Sequence, residues 1–521
     1  MKSLYDAAWD TAQKYPDKDG LVFYGKRYSF SWVLKEIDRV ADSLTRFVKK
    51  GDVVTVCIPN SVSAAVAVYA FNKIGCVLNL VHPFIPPENL KKSIAKTSSK
   101  LAVIYDLYFA KNQVDDLGVM VLKSACGHYM GGLKKFGYSL MCKKGKYYKT
   151  EIFERLKFYK KAEKADFTDD DPAVYLPSGG TTGEAKIIVH NCSAFNRLCA
   201  NVGFFLSDDV DDYKAMYSVL PIFHGFGLCM NLHMCMYAGI TNVMAMSFNA
   251  KDAANLIVRE KVGILTGVPT MYTKLLRQEK FRNSDLSYLK ECFVGGDFVP
   301  PSLIEQFEEN LRKNGSGGKM YAGYGLTETV TVCTVNTKRH FAKDSVGIAV
   351  PSMKIAVAKD GKLLPDGEEG EIFVSGPIMM MGYMDGGENF VEIDGERWLA
   401  TGDYGRVKDG FLYFMQRIKN IIKVSGINIY PSEIERAVMK IQGVRHAGAT
   451  AIADAEKGQV VKLFVEAVEG ADEAELRRKI VDAIKSELIV YAVPKEIEFI
   501  KMPLSSVGKI DRKKLEDLCA N

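Results

Sequence analysis

Tyr175-Leu-Pro-Ser178-Gly179-Gly180-Thr181-Thr182-Gly183-Glu-Ala-Lys186 sets three glycines and three hydroxyls between an apolar run, AVYL, and a lysine. Glycines let backbone N–H groups approach phosphate oxygens, hydroxyls add neutral donors, and a lysine supplies a mobile cation. The pattern is phosphate chemistry on a strand-to-loop junction. It is not a Walker A loop, because no G-x-x-x-x-G-K-[ST] register fits these glycines and Lys186. Taken alone, the segment also reads as a plain structural turn.

On its N-terminal side, LVFYGKRYSF predicts a hairpin with a Gly-Lys turn, and FSWVLKEIDRVADSLTRFV has apolar residues at helical spacing. VVTVCIP, SVSAAVAVYAFNKIG and LAVIYD continue as strand, helix and strand, so residues 20 to 105 predict a doubly wound sheet. Beyond Ser178 the alternation resumes, with VGILTGVP and LKECFVGGD as strands of a second α/β unit. Turns such as KDGK, PDGEEG, IDGE and KDGF mark residues 346–416 as a β-rich subdomain. PSEIERAVMKI and EAELRRKIVDAIKSEL are helices of a small α+β unit that follows. The fold class expected is therefore α/β, with a large unit over residues 1–416 and a small one over 417–521.

The chain has 521 residues, 47% hydrophobic and 25% charged, which fits a globular protein of several cores and excludes a disordered or fibrous one. Its net charge of +6 is too small to imply nucleic acid. The distribution is uneven: Gly127–Lys164 holds eleven Lys and Arg against three Glu. That segment reads as a solvated loop and helix face, or as a contact with an anionic membrane surface. Eleven cysteines, an odd number without a C-x-x-C pair, suggest neither a disulfide framework nor a zinc site and fit a reducing cytoplasm. The N-terminus has no apolar core of a signal peptide, and the apolar stretch from Val53 to Phe84 is interrupted by Asn60, Asn72 and Lys73.

Six further stretches follow in order: LPIFHGFGL (220–228), VGGDFVP (294–300), YAGYGLTET (321–329), TGDYGRVKDGFLYFMQR (401–417), IKVSGINIYPSEIE (422–435) and PLSSVGKIDRKKL (503–515). With the glycine-rich loop they resemble, almost end to end, the adenylate-forming superfamily of acyl- and aryl-CoA synthetases, peptide-synthetase adenylation domains and luciferases. The likeness is greatest to an AMP-forming acyl-CoA synthetase. That resemblance implies ATP, Mg²⁺ and coenzyme A as cofactors and co-substrates, and a carboxylic acid activated as its acyl-adenylate.

It also implies roles. Ser178, Gly179, Gly180, Thr181, Thr182, Gly183 and Lys186 would cradle the β- and γ-phosphates. Gly295, Gly296, Tyr324 and Gly325 would surround the adenine, Thr327 would meet the α-phosphate, and Glu328 with Thr182 would hold Mg²⁺. Asp403 would accept both ribose hydroxyls, and Arg417 would contact ribose and phosphate. Lys509 would bridge the carboxylate and the α-phosphate, offsetting the repulsion between two approaching anions. Lys423 and Gly426 belong to the stretch that would swing in for thioester formation, about a hinge near Lys419. Three positions depart from the family pattern: Ala185, Ile187 and Asp297 stand where Pro, Gly and Ala are common.

His224 resembles the gate between acid pocket and thiol tunnel, and Gly225, Gly227 and Gly323 are expected to leave room for a chain or ring. The 221–227 stretch carries no carboxylate to pair an α-ammonium, so a fatty or aryl acid is expected. Coenzyme A is the leading acceptor, with a phosphopantetheinyl carrier protein as the alternative. A non-catalytic nucleotide-binding or membrane-associated scaffold is the reading from another class, opposed by the set Lys186, Glu328, Asp403 and Lys509. No nucleic-acid partner is expected, and a homodimer is compatible with the sequence.

Overall fold

A computed structural model of the chain describes residues 2–112, 116–142, 150–178, 186–387, 389–504 and 510–520. Its framework is three sheets, of seven, fifteen and five strands. In the first, Val53–Cys57 lies between Val77–Leu80 and Leu101–Tyr105, with Met120–Ser124 outside, all parallel. The three inner strands are short, mostly apolar runs buried on both faces, as parallel strands covered by helices must be, while the edge strand Met120–Ser124 is partly exposed. The helix Val62–Ile74 is buried on every side. It starts where Ser61 accepts from the Ala64 N–H and stops at Gly75, whose φ of +90° closes the last turn.

Val174–Pro177 extends this sheet beside Val77–Leu80, then turns antiparallel into Ile187–His190, which in turn pairs with Gly382–Tyr383. The glycine-rich stretch therefore joins two hydrogen-bonded strands.

The fifteen-stranded sheet has a parallel half made of Ala215–Ser218, Thr241–Met244, Ile264–Gly267, Glu291–Val294 and Lys319–Tyr324. Two sequence expectations need correction here. The hairpin Asp19–Phe23 with Lys26–Ser29 forms, but its turn is Tyr24-Gly25, both at positive φ, and it pairs with Thr241–Met244. The run 20–105 is thus split between two sheets, because alternation identifies strands without naming their partners. The β-rich region expected over 346–416 is present and continues the fifteen-stranded sheet. Lys319–Tyr324 pairs antiparallel with Thr334–Val335, and through Ile348–Ala349 the ladder runs on into Phe411–Arg417 and Glu396–Lys408.

The five-stranded sheet takes its strands from residues 422–499 and has its own apolar core, packed under the helices Pro431–Met439 and Glu473–Glu487. It touches the rest where Tyr404 stacks on Tyr430 (5.6 Å) and Arg436 lies over Phe298 (5.7 Å). Among the described residues no helix is long and apolar enough to cross a membrane.

Candidate active site

Asp403 and Arg417 face each other across the antiparallel pair Glu396–Lys408 and Phe411–Arg417. Gly402, at φ +70°, and a bulge between Tyr404 and Gly405 re-aim this part of the strand. Asp403 is 2% exposed. Its Oδ2 accepts from the Tyr324 hydroxyl at 2.7 Å, and Arg417 Nε stands 3.2 Å from Oδ1. That second contact is an ion pair without an aligned hydrogen bond, so Oδ1 keeps acceptor capacity. Burial pushes the Asp403 carboxyl up, while Arg417 and Tyr324 pull it down. Tyr324 itself lies against Phe414, the rings nearly parallel and 5.5 Å apart.

A second group gathers where the two large sheets meet. Thr327–Thr329 forms one 3₁₀ turn beyond the strand Lys319–Tyr324. The Thr327 carbonyl accepts from His190 Nε2 at 2.7 Å, and the Glu328 carbonyl from the Met380 N–H at 2.7 Å. One Glu328 carboxylate oxygen accepts from the Tyr383 hydroxyl at 2.9 Å. Lys186 Nζ lies 4.3 Å above the Tyr383 ring. Lys186 is also fixed to Ser178 by backbone and hydroxyl bonds of 2.8 and 3.1 Å. Tyr383 thus links the lysine expected at the phosphates to the glutamate expected at Mg²⁺. Buried His190 is pushed down to about 4, so it is neutral and donates to the Thr327 carbonyl.

Val330 follows at φ +61° and ψ −56°, inside a γ-turn closed by the Thr331 N–H on the Thr329 carbonyl at 2.6 Å. A branched residue held there is strained backbone beside the site. Its carbonyl explains Gly225, where a Cβ would stand 1.6 Å from Val330 O. Gly325 is needed in the same way against Thr331 O, at 1.6 Å, and Gly227 against Pro221 O, at 2.2 Å. The expectation that Gly225, Gly227 and Gly323 leave room for substrate is therefore overturned: backbone fills that space at Gly225 and Gly227, and the strand Thr334–Val335 crowds Gly323.

His224 precedes a π-helix, Phe226–His233, a rare winding that often accompanies functional sites. From His224 a row of rings leads outward through Phe223 (4.6 Å) and His82 (4.5 Å) to exposed Phe84 (5.6 Å). Gly295 and Gly296 lie at the end of the strand Glu291–Val294, where a Cβ on Gly295 would stand 3.0 Å from Gly323 O. Lys423 and Gly426 are exposed on the hairpin Ile422–Val424 with Ile427–Ile429, Gly426 at φ +81° with open space around it. Gly179, Gly180, Thr181, Thr182, Gly183 and Lys509 lie outside the described residues. The flanks of the Lys509 stretch are anchored: Leu504 bridges Ile510, and Arg512 pairs with Glu435 at 2.8 Å.

Residues 8–384 match the family model of the AMP-binding enzymes, and residues 433–509 match that of the AMP-binding enzyme C-terminal domain. The chain belongs to the AMP-binding enzyme family. It is an acid–thiol ligase of the acyl-CoA synthetase type, which works through an acyl-adenylate and uses ATP, Mg²⁺ and CoA. It is 30% identical to the long-chain-fatty-acid–CoA ligase of Bacillus subtilis across 99% of this chain and 94% of that protein. A feruloyl-CoA synthase of Amycolatopsis is 31% identical across 66% of this chain and 68% of its own length. The fold is that of ATP-bound MatB from Rhodopseudomonas palustris, with a TM-score of 0.83 at 22% identity over 99% of this chain and 98% of that one.

Tyr383, His190 and Phe414 were not legible as site residues. No local motif marks Tyr383 or His190, and Phe414 lies in the 401–417 stretch without being singled out there, because each acts on a group from a distant part of the chain.

Proposed function

We infer that this ligase activates a long, apolar carboxylic acid of the fatty-acid class and passes it to free coenzyme A. The nucleotide half of the reading is carried by Asp403, a buried carboxylate with an unused acceptor, placed between Tyr324 and Arg417. Two vicinal hydroxyls of a ribose suit that acceptor, and Arg417, half-exposed and held by Nε beside Asp403, has further N–H groups to offer a phosphate. Glu328 is a single carboxylate near a lysine. That suits Mg²⁺, which binds through one or two carboxylates plus substrate phosphates and water and needs no protein cage. Glu328 and Thr182 would hold the ion, whose charge would neutralise the phosphates. Ser178, Lys186 and the loop between them hold the β- and γ-phosphates, and the Thr327 hydroxyl, its backbone fixed by His190, orients the α-phosphate. Lys509 brings its ammonium between carboxylate and phosphate.

The fatty acid is supported by the Bacillus relative and by the 221–227 stretch, which carries no carboxylate to pair an ammonium. Residues 417–521 act as a mobile unit about Lys419, presenting Lys509 for adenylation and the Gly426 hairpin for thioester formation. A cytoplasmic location, a homodimer and peripheral contact of the basic segment 127–164 with anionic membrane belong to the same reading. Pyrophosphate release with ATP, Mg²⁺ and a series of fatty, aryl and amino acids, with and without CoA, tests it. Turnover should need CoA and favour long fatty acids. Preference for an amino acid, or turnover only with a carrier protein, would refute it.

A further inference from the structure

The helix Gly132–Cys142 is mounted inside out. At 3.6 residues per turn, Leu133, Phe136, Leu140 and Met141 share one arc of about 140°. All four face solvent, at 89%, 63%, 46% and 56% exposure. Tyr138, on the other side, is buried and donates its hydroxyl to Asp106, and Cys142 bonds the same carboxylate. A helix of a globular protein normally turns its apolar stripe to the core. Here one tyrosine docks the helix, and the apolar stripe points away from the protein.

The charge around it selects the occupant. Lys134 borders the apolar arc beside Met141, and Lys135, also exposed, lies on the far side of the helix next to Cys142. Lys134 reaches Asp252 at 3.9 Å, but both side chains are about 60% exposed and the pair is weak. In sequence the helix lies within Gly127–Lys164, with its eleven Lys and Arg and three Glu. A second copy docking isologously through this face would set two such basic segments against each other. An anionic lipid surface matches both features, since headgroups take the lysines and the acyl boundary takes the apolar arc.

We propose that the helix Gly132–Cys142 is an interfacial anchor, which inserts Leu133, Phe136, Leu140 and Met141 into an anionic membrane and holds the enzyme at its surface. This deepens the membrane contact given under Proposed function and is independent of which acid is activated.

Co-sedimentation of the full chain with vesicles tests it, using phosphatidylcholine alone and phosphatidylcholine mixed with phosphatidylglycerol. The wild type should bind the mixed vesicles and leave the neutral ones. A variant with Leu133→Ser, Phe136→Ser and Leu140→Ser should lose about 10²-fold in affinity, and one with Lys134→Glu and Lys135→Glu at least about tenfold. Every substituted position is exposed, so both variants should keep the wild-type melting temperature and its turnover in vesicle-free buffer. Absence of wild-type binding overturns the proposal. So does a serine variant that still binds, which would leave a purely electrostatic contact, or a wild-type dimer that the serine variant dissociates. Loss of turnover in buffer alone would count against the enzymatic reading and leave the anchor untouched.

Discussion

The Asp403 region and the Gly426 hairpin lie on opposite sides of Arg417 in sequence, and they are built in opposite ways. Asp403 is buried, bonded to Tyr324 and paired with Arg417, on a strand that pairs with three others. Gly426 sits on an exposed two-strand turn where a side chain would touch nothing within 4 Å. On the proposed function, the groups that would hold the nucleotide are locked by packing, and the group that would enter and leave is carried on an exposed tip. The contrast fits an enzyme whose binding site is preorganised while its second step is delivered by a moving part.

The sharpest break on the fixed side is Asp403→Ala. Removing the charged acceptor of two hydroxyls should lower kcat/KM for ATP by roughly 10²-fold or more. Asp403→Asn keeps the shape and should fall between the two. Steady-state kinetics with ATP as the varied substrate checks both, and an unchanged KM would remove Asp403 from the ribose.

Tyr383→Phe should be milder, since the ring under Lys186 stays and only the hydroxyl on Glu328 goes. Turnover should fall by about fivefold to tenfold, consistent with one lost hydrogen bond to a charged group. If Tyr383 positions Glu328, the Mg²⁺ concentration for half-maximal rate should shift while the KM for the acid stays. A purely structural role would leave the Mg²⁺ dependence unchanged.

The smallest effect on rate belongs to His190. Burial holds its pKa at about 4, below the ordinary 6.5, so the unfolded chain takes a proton that the folded one refuses. Its contribution to stability is complete above pH 6.5 and is lost as pH falls towards 4, about 3 kcal/mol at most. His190→Gln keeps a donor for the Thr327 carbonyl. It should change turnover at neutral pH by less than about twofold and flatten the fall of melting temperature between pH 6.5 and 4. Buried His233, pushed down to about 3, leaves a residual slope in that variant.

The same contrast marks what could be read from sequence. Helices such as Val62–Ile74 and Glu473–Glu487 were legible because the composition and pattern of a helical stretch are local. Asp403, Tyr324 and Glu328 were singled out as candidates because their neighbours form ordered motifs. Strand partners were not legible: nothing in LVFYGKRYSF says that it pairs with Thr241–Met244. The glycines at 225 and 227 were legible as important but read for the wrong reason, since the carbonyls that crowd them come from Val330 and Pro221. Tyr383 was silent, because its use depends on Glu328 arriving from a turn 55 residues away.

Domain alternation is tested most directly by measuring both half-reactions in Lys509→Ala and Gly426→Leu. Lys509→Ala should lose ATP-dependent adenylate formation by about 10²–10³-fold while still converting supplied acyl-adenylate and CoA to thioester. Gly426→Leu, with a melting temperature measured alongside because φ is +81° there, should form adenylate in one burst and fail at thioester formation. Equal loss of both half-reactions in each variant, with folding intact, would contradict the division of labour between the two ends of residues 417–521.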